Sequence, residues 1–241
     1  MSGSGFAVHR VRRWLDAAAH VADAIMPRCH AGPVADAVQA GWSIDLPGEY
    51  CRRCGLSIGP SSATERGCSR CLEQRCAWDG IVRLTSYRAP MTTWITAMKF
   101  RRQWSWAEWL GDRLAERIDV CDNATIVCPV PMHWRRRLAR GYNQSALIAD
   151  TIARRKGIQS AALLRRRRFS PPQTRTTATD RRLNARGAFA VGAVDLSGWT
   201  VWLVDDVKTT GATLSACCSH LRQAGAGRIH VAVAAVADPG G

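Results

Sequence analysis

The stretch VWLVDDVKTTGATL, residues 201–214, constrains the fold of this chain more than any other. Apolar residues run straight into two aspartates, a Thr-Thr-Gly turn follows, and Ala212 opens a segment with helical spacing of apolar residues. A strand that runs into a helix N-terminus in this way is the repeating unit of an open parallel sheet. In such sheets ligands bind beyond the carboxyl ends of the strands. Backbone N–H groups and hydroxyls of a loop with Thr209, Thr210, Gly211 and Thr213 would face an anion there, aided by the helix dipole. The frame of a Walker A loop is missing. Asp205 and Asp206 place two acceptors next to those donors, and a ligand that needs both is a sugar phosphate. An acidic pair that only caps the helix is the simpler alternative, but it leaves the three threonines unexplained.

The rest of the chain fits the same architecture. IVRLTSY (81–87), ATIVCPVP (124–131), WTVWLVDD (199–206) and RIHVAVAAVA (228–237) predict strands. PMTTWITAMKF (90–100), SWAEWLGDRLAERI (105–118), NQSALIADTIARRKG (143–157) and ATLSACCSHLRQAGA (212–226) predict helices, with Asn143 as an N-cap and Gly157 past a C-terminus. The alternation predicts an α/β fold: a parallel sheet with helices on both faces. Residues 8–26 predict one more helix, and 30–48, rich in Gly, Pro and Ala, an irregular linker. The interval 158–198 breaks the rhythm with RRRR (165–168), a Pro-Pro pair and many Thr and Arg, as a functional lid does.

Ten cysteines are present. Cys51 and Cys54 form one Cys-x-x-Cys knuckle and Cys68 and Cys71 another, with thirteen residues between them. Two such knuckles suit one tetrahedral metal, and four thiolates leave no open position for chemistry, so a structural zinc is expected. Gly55 and Gly67 supply tight backbone beside the knuckles. Two disulfides are the alternative and would require an oxidising compartment. Cys29 and Cys76 lack partners at knuckle spacing. Cys121, Cys128, Cys217 and Cys218 follow the apolar pattern and are expected as small buried hydrophobes.

The net charge is +15, from 34 Lys and Arg against 19 Asp and Glu. Such a chain attracts polyanions, unless the arginines simply form a solvated surface. Arginine clusters at 101–102, 135–140, 154–155, 165–168 and 181–186 lie near tryptophans 94, 104, 106, 109 and 134. Aromatics beside a basic groove hold single-stranded nucleic acid. Trp94, Trp106 and Trp109 fit a core stripe better, which leaves Trp134 as the stacking candidate. No apolar run approaches the roughly 18–20 residues that span a bilayer. The N-terminus superficially resembles a signal peptide, but Asp16, His20 and Asp23 interrupt it, so it is expected as an amphipathic helix of a cytoplasmic protein.

VWLVDDVKTTGAT is similar to the phosphoribosyl pyrophosphate (PRPP) motif of type I phosphoribosyltransferases. Together with PVPMHWRRRLARGYNQSALIA (129–149), PPQTRTTATDRRLNARGAF (171–189) and the cysteine knuckle, it resembles the ComF/GntX family of competence-associated proteins. The resemblance implies an N-terminal helix and linker (1–48), a four-cysteine zinc knuckle (49–78) and a phosphoribosyltransferase-like domain (79–241). It further implies that Asp205 and Asp206 bind ribose hydroxyls, and that Thr209, Thr210, Gly211, Ala212 and Thr213 hold the 5′-phosphate. Arg135, Arg136, Arg137 and Arg140 would face the pyrophosphate, with Asp205, Asp206 and Arg140 as the catalytic set. PRPP would enter with Mg2+. Residues 165–187 would form a mobile hood carrying Arg181, Arg182 or Arg186, and the partners implied are PRPP, single-stranded DNA and a competence helicase. Two departures stand out. An earlier Cys-x-x-Cys pair is missing, so no second zinc is expected. Thr209 replaces the aspartate by which 6-oxopurine salvage enzymes act on the purine, so an acceptor of that kind is not expected.

Overall fold

The computed structural model describes residues 31–59, 62–64, 67–73, 75–120, 124–167 and 188–238. The predicted helix at 8–26, Cys29, Cys121 and residues 168–187 of the predicted hood lie outside them. The chain forms two compact units, Met1–Trp42 and Ser43–Gly241. In the first, helix α1 (Ala31–Gln39) occupies part of what the sequence suggested was an irregular linker. Its alanines favour the helix, and Pro33 falls in the first turn, where a missing N–H costs nothing.

The second unit begins with a short antiparallel ribbon, β1 (Ala63–Thr64) and β2 (Gly67–Cys68), followed by α2 (Ser69–Glu73). The α/β body follows in the order β3 (Gly80–Ser86), α3 (Met91–Phe100), α4 (Ser105–Ala115), β4 (Thr125–Pro129), α5 (Trp134–Arg140), α6 (Gln144–Lys156) and β5 (Gln159–Ser160). It continues with β6 (Leu164–Arg166), β7 (Phe189–Val191), β8 (Thr200–Lys208), α7 (Ala212–Gln223) and β9 (Arg228–Val236). Strands β3, β9, β8, β4 and β5 lie side by side in that order, all parallel. The expected parallel α/β fold is therefore the one formed.

The strands have near-continuous apolar faces because the sheet is covered on both sides. Helix α7 packs into a core with Cys128, Val201, Leu203, Ile229, Val231 and Val233. Helices α4 and α6 pack on each other, α4 against β3 and β9 and α6 against β4 and β8. Where α4 crosses α6, a Cβ on Gly111 would lie 2.6 Å from Thr151 Cβ, so only glycine permits this approach. Trp94, Trp106 and Trp109 form one ring cluster, with Trp94 and Trp106 stacked at 4.8 Å and buried. Cys128, Cys217 and Cys218 are buried.

Two local structures differ from the sequence reading. Residues 135–140, expected on a loop, form α5, because His133 caps its start by accepting from Arg135 N and Gly141 ends it at φ +89°. The predicted hood is not irregular at its base: β6 pairs with β7 as an antiparallel ribbon that carries Arg165 and Arg166.

Candidate functional site

The connections from β4 and β8 diverge. β4 leads through α5 and α6 outward to β5, whereas β8 leads through α7 to β9 on its other side. Ligand crevices of open α/β sheets form at this kind of switch point. Here the crevice has a specific cause. The β4–β8 ladder ends at Pro129 opposite Val204, with one more bond from Val130 N to Val204 O, and Pro131 then carries no N–H. Strand β8 continues to Lys208 along β9 alone, through the pairs Val207–Ala235 and Lys208–Val236. The strand thus runs two residues beyond the predicted end at Asp206, and Asp205 and Asp206 sit within it, past the end of the β4 ladder.

They open onto a cleft of about 580 Å³. Its walls bring together the end of α3 (Lys99, Phe100), the inner side of α5 (Arg136, Arg140), the first turn of α6 (Gln144, Ser145), Arg166 of β6 and Thr213 of α7. Asn143 starts α6 as predicted: its side chain accepts from Ser145 N at 3.2 Å and its amide donates to Val130 O. This cap places Gln144 and Ser145 against the carboxylates.

Asp206 is 4% exposed. Its Oδ2 receives Lys99 Nζ at 2.7 Å and Gln144 Nε2 at 3.0 Å. Arg140 donates to Gln144 Oε1 at 2.7 Å, so it reaches Asp206 through that amide, and its guanidinium lies over the Phe100 ring. Tyr142 O–H donates to Met98 O and ties the end of α3 to the segment after α5. Asp205 Oδ1 accepts from Ser145 Oγ at 2.8 Å and from Asp206 N at 2.9 Å. Burial, with the Asp206 charge second, raises the Asp205 carboxyl to about 7, against the opposing pull of Ser145 and Lys99. Burial lowers Arg166, and the nearby Arg136 adds to the effect. Two carboxylates thus share one cleft with four arginines (Arg102, Arg136, Arg140 and Arg166) and a lysine, an arrangement suited to a polyanion that also carries hydroxyls.

The cleft gathers Asp205, Asp206, Arg136, Arg140 and Thr213 from the predicted site residues, and Arg102 and Arg166 from the arginine clusters singled out in the sequence. Thr209 and Thr210 are exposed on the turn, Gly211 is buried beneath it at φ +77°, and Ala212 starts α7. Arg135 and Arg137 are exposed on α5 outside the cleft lining, with Arg135 over the Trp134 ring. Lys99, Gln144 and Ser145 were missed by the sequence reading. The Asn143 cap signals the two α6 residues, since a helix start after a strand and loop points at the carboxyl edge of the sheet. Nothing local signals Lys99.

The second candidate site is the knuckle. Ligand atoms of Cys51, Cys54, Cys68 and Cys71 lie within 4.8 Å of one another, and all four residues are buried. The Sγ–Sγ distances are 3.7 Å for Cys51–Cys71, 3.6 Å for Cys54–Cys68 and 3.9 Å for Cys68–Cys71. A tetrahedron with Zn–S bonds of about 2.3 Å has edges of about 3.8 Å, so these sulfurs fit a zinc ion and are too far apart for disulfides. Burial pushes the Cys54 thiol up to about 12, a cost that metal binding removes. In Cys51 burial acts the same way, but N–H groups from Cys54, Arg53 and Cys68 outweigh it and bring the thiol down to about 7. Gly67 has φ +102°, and a Cβ there would lie 2.7 Å from Cys71 Cβ. Among the described residues no helix is long and apolar enough to cross a membrane.

The phosphoribosyl transferase domain family matches residues 143–240. Competence protein F of Haemophilus influenzae is 32% identical over 192 residues, which is 76% of this chain and 82% of that protein. DNA utilization protein YhgH of Salmonella typhi is 29% identical over 188 residues, 75% of this chain and 81% of that protein. A solved purine phosphoribosyltransferase from Pyrococcus horikoshii is 18% identical, with TM-score 0.32 over 64% of this chain and 76% of that one. The chain belongs to the Competence protein F (ComF) family and carries its phosphoribosyl transferase domain on the parallel sheet that holds Asp205 and Asp206.

Proposed function

We propose that this protein binds PRPP as its magnesium complex in the β8–β4 cleft and uses the bound phosphoribosyl group for transfer to an acceptor. The observation that carries this reading is the opposition of Asp205 and Asp206 to Arg136, Arg140 and Arg166 across the cleft, beside the Thr209–Thr213 turn. Asp205 and Asp206 would accept from the ribose 2- and 3-hydroxyls. The turn and the start of α7 would hold the 5′-phosphate through backbone N–H groups and threonine hydroxyls. Arg136, Arg140 and Arg166 would take the pyrophosphate. The donor set fits magnesium carried in by the ligand, since hard oxygens surround it and phosphate oxygens complete its shell. Magnesium would supply charge neutralisation for the leaving pyrophosphate. On this reading residues 49–78 are a zinc-stabilised knuckle and 79–241 the ligand-binding domain.

Isothermal titration with Mg2+–PRPP tests the proposal. Wild type is expected to bind, and an Asp205→Asn, Asp206→Asn variant to bind at least tenfold more weakly. Pyrophosphate release in the presence of bases and amines then tests transfer. Equal binding by both proteins overturns the assignment of the carboxylates, and no acceptor-dependent release overturns the transfer step.

A second reading, single-stranded DNA as a ligand, is favoured by the rim of the cleft. Phe100, Trp134 and Leu138 are 73%, 57% and 74% exposed beside Arg101, Arg135 and Arg137. The names of the relatives, competence and DNA utilization, agree with it. Binding should fall steeply with salt, Trp134→Ala should weaken it, and Mg2+–PRPP should compete if the arginines are shared.

A further inference from the structure

The cysteine knuckle and the Thr209–Thr213 turn meet at Trp78, a residue that neither site uses. Trp78, 4% exposed, donates from Nε1 to Arg53 O at 2.7 Å, the carbonyl between Cys51 and Cys54. The far edge of the same indole meets the turn: a Cβ on Gly211 would lie 3.1 Å from Trp78 Cη2. Lys208, the last residue of β8, is 7% exposed and lies directly before the turn. Its Cε would be 3.4 Å from that same Cβ. Gly211 is therefore pressed between an indole and a lysine stem, and the indole is hydrogen-bonded to the cysteine knuckle.

We infer that Trp78 is a positioning residue that couples metal occupancy of the Cys51–Cys54–Cys68–Cys71 site to the conformation of the Thr209–Thr213 turn. Loss of the metal frees the 51–54 turn, whose Arg53 carbonyl anchors Trp78. The indole support of Gly211 is then lost, although Trp78 lies outside the cleft lining. The metal thereby acts as a positive effector of phosphate binding at a separate site, with equal and reciprocal coupling of the two affinities. This consequence for ligand affinity rests on the phosphate reading of the turn, whereas the coupling itself does not.

The test uses full-length protein with and without zinc, read by amide hydrogen exchange of peptides covering 205–214 and by titration with ribose 5-phosphate. Removal of zinc is expected to speed exchange in the turn at least tenfold while the strand segment 200–204 stays protected. Trp78→Phe drops the N–H and the outer ring edge that meets Gly211, and Trp78→Leu removes the aromatic surface altogether. With zinc still bound at one ion per chain, each should speed turn exchange and weaken ribose 5-phosphate by about tenfold. If zinc removal unfolds the whole chain, the zinc-loaded variants carry the test. Turn exchange that is indifferent to zinc in a folded protein, or zinc-loaded variants identical to wild type, overturns the inference. If turn exchange follows zinc but wild type binds neither ribose 5-phosphate nor PRPP, the ligand reading fails and the coupling stands.

Discussion

Asp205→Asn is expected to stabilise the ligand-free protein at neutral pH and above while weakening its ligand. In the folded chain burial and the neighbouring Asp206 hold the Asp205 carboxyl at about 7, against 3.8 for an ordinary aspartate. As pH rises from about 4 to about 7 the unfolded chain has already released this proton while the folded chain still holds it. Stability therefore falls across that window, and the full penalty is present above it. The difference of about three pH units sets a ceiling near 4 kcal/mol, at about 1.4 kcal/mol per unit. Solvent screening at the cleft mouth reduces this to about 1–3 kcal/mol. The asparagine keeps an Oδ1 acceptor for Ser145 Oγ and Asp206 N and carries no charge to desolvate. Urea unfolding of zinc-loaded wild type and variant should show a difference at pH 5 that is less than half of that at pH 8, because pH 5 lies early in this window. At pH 8 the variant should be more stable by about 1–3 kcal/mol, or about 2–4 °C of Tm per kcal/mol for a chain of this size. Mg2+–PRPP binding by the variant should drop at least tenfold at pH 8, because a charge-assisted hydrogen bond is lost. A stability difference that does not grow with pH, or a variant less stable at pH 8, refutes the account of this carboxyl.

Lys99→Met removes an ammonium that lowers the Asp205 carboxyl, so the pH below which Mg2+–PRPP binding is lost should move upward, as read by titrations between pH 6 and 8.5. Gly67→Ala places a methyl 2.7 Å from Cys71 Cβ on a left-handed backbone that costs about 1–2 kcal/mol for any other residue, so zinc release to a chromogenic chelator should occur at a chelator concentration at least tenfold lower. Gly111→Ala gains about 1 kcal/mol of helix propensity but overpacks the α4–α6 crossing by more, so Tm should fall by a few degrees, and an unchanged or higher Tm counts against that crossing.

Where information was local, the sequence carried it. The strand–turn–helix around residue 205, the Asn143 cap, the glycine stops and the Cys-x-x-Cys spacing depend on neighbours within one turn or one knuckle, and the structure forms each of them. The short helix α5 was missed although its signals were present. His133 is an uncommon cap, and the run of arginines suggested a loop where Gly141 supplied a clear stop. The two extra residues of β8 were hidden because the turn chemistry starting at Thr209 suggested an earlier end to the strand. Pairing with β9 decided the matter, and the sequence of β8 alone does not contain it.

Contacts between residues far apart in sequence account for the rest of the site. Lys99 meets Asp206 because α3 ends over the carboxyl edge of the sheet, and Tyr142 holds that end by donating to Met98 O. Neither Lys99 nor Met98 stands out in its own segment. Trp78 and Lys208 are likewise unremarkable in sequence, one before a strand and one ending another, yet both press on Gly211. The same glycine illustrates the limit of motif reading. Its place in a Thr-Thr-Gly turn suggests only that the backbone must approach a phosphate. The structure adds a second requirement, because a side chain at 211 would strike the indole that is hydrogen-bonded to the cysteine knuckle. A Gly211→Ala variant should therefore lose phosphate affinity and also expose the knuckle to faster zinc exchange, whereas a residue needed only for phosphate approach would leave zinc exchange unchanged.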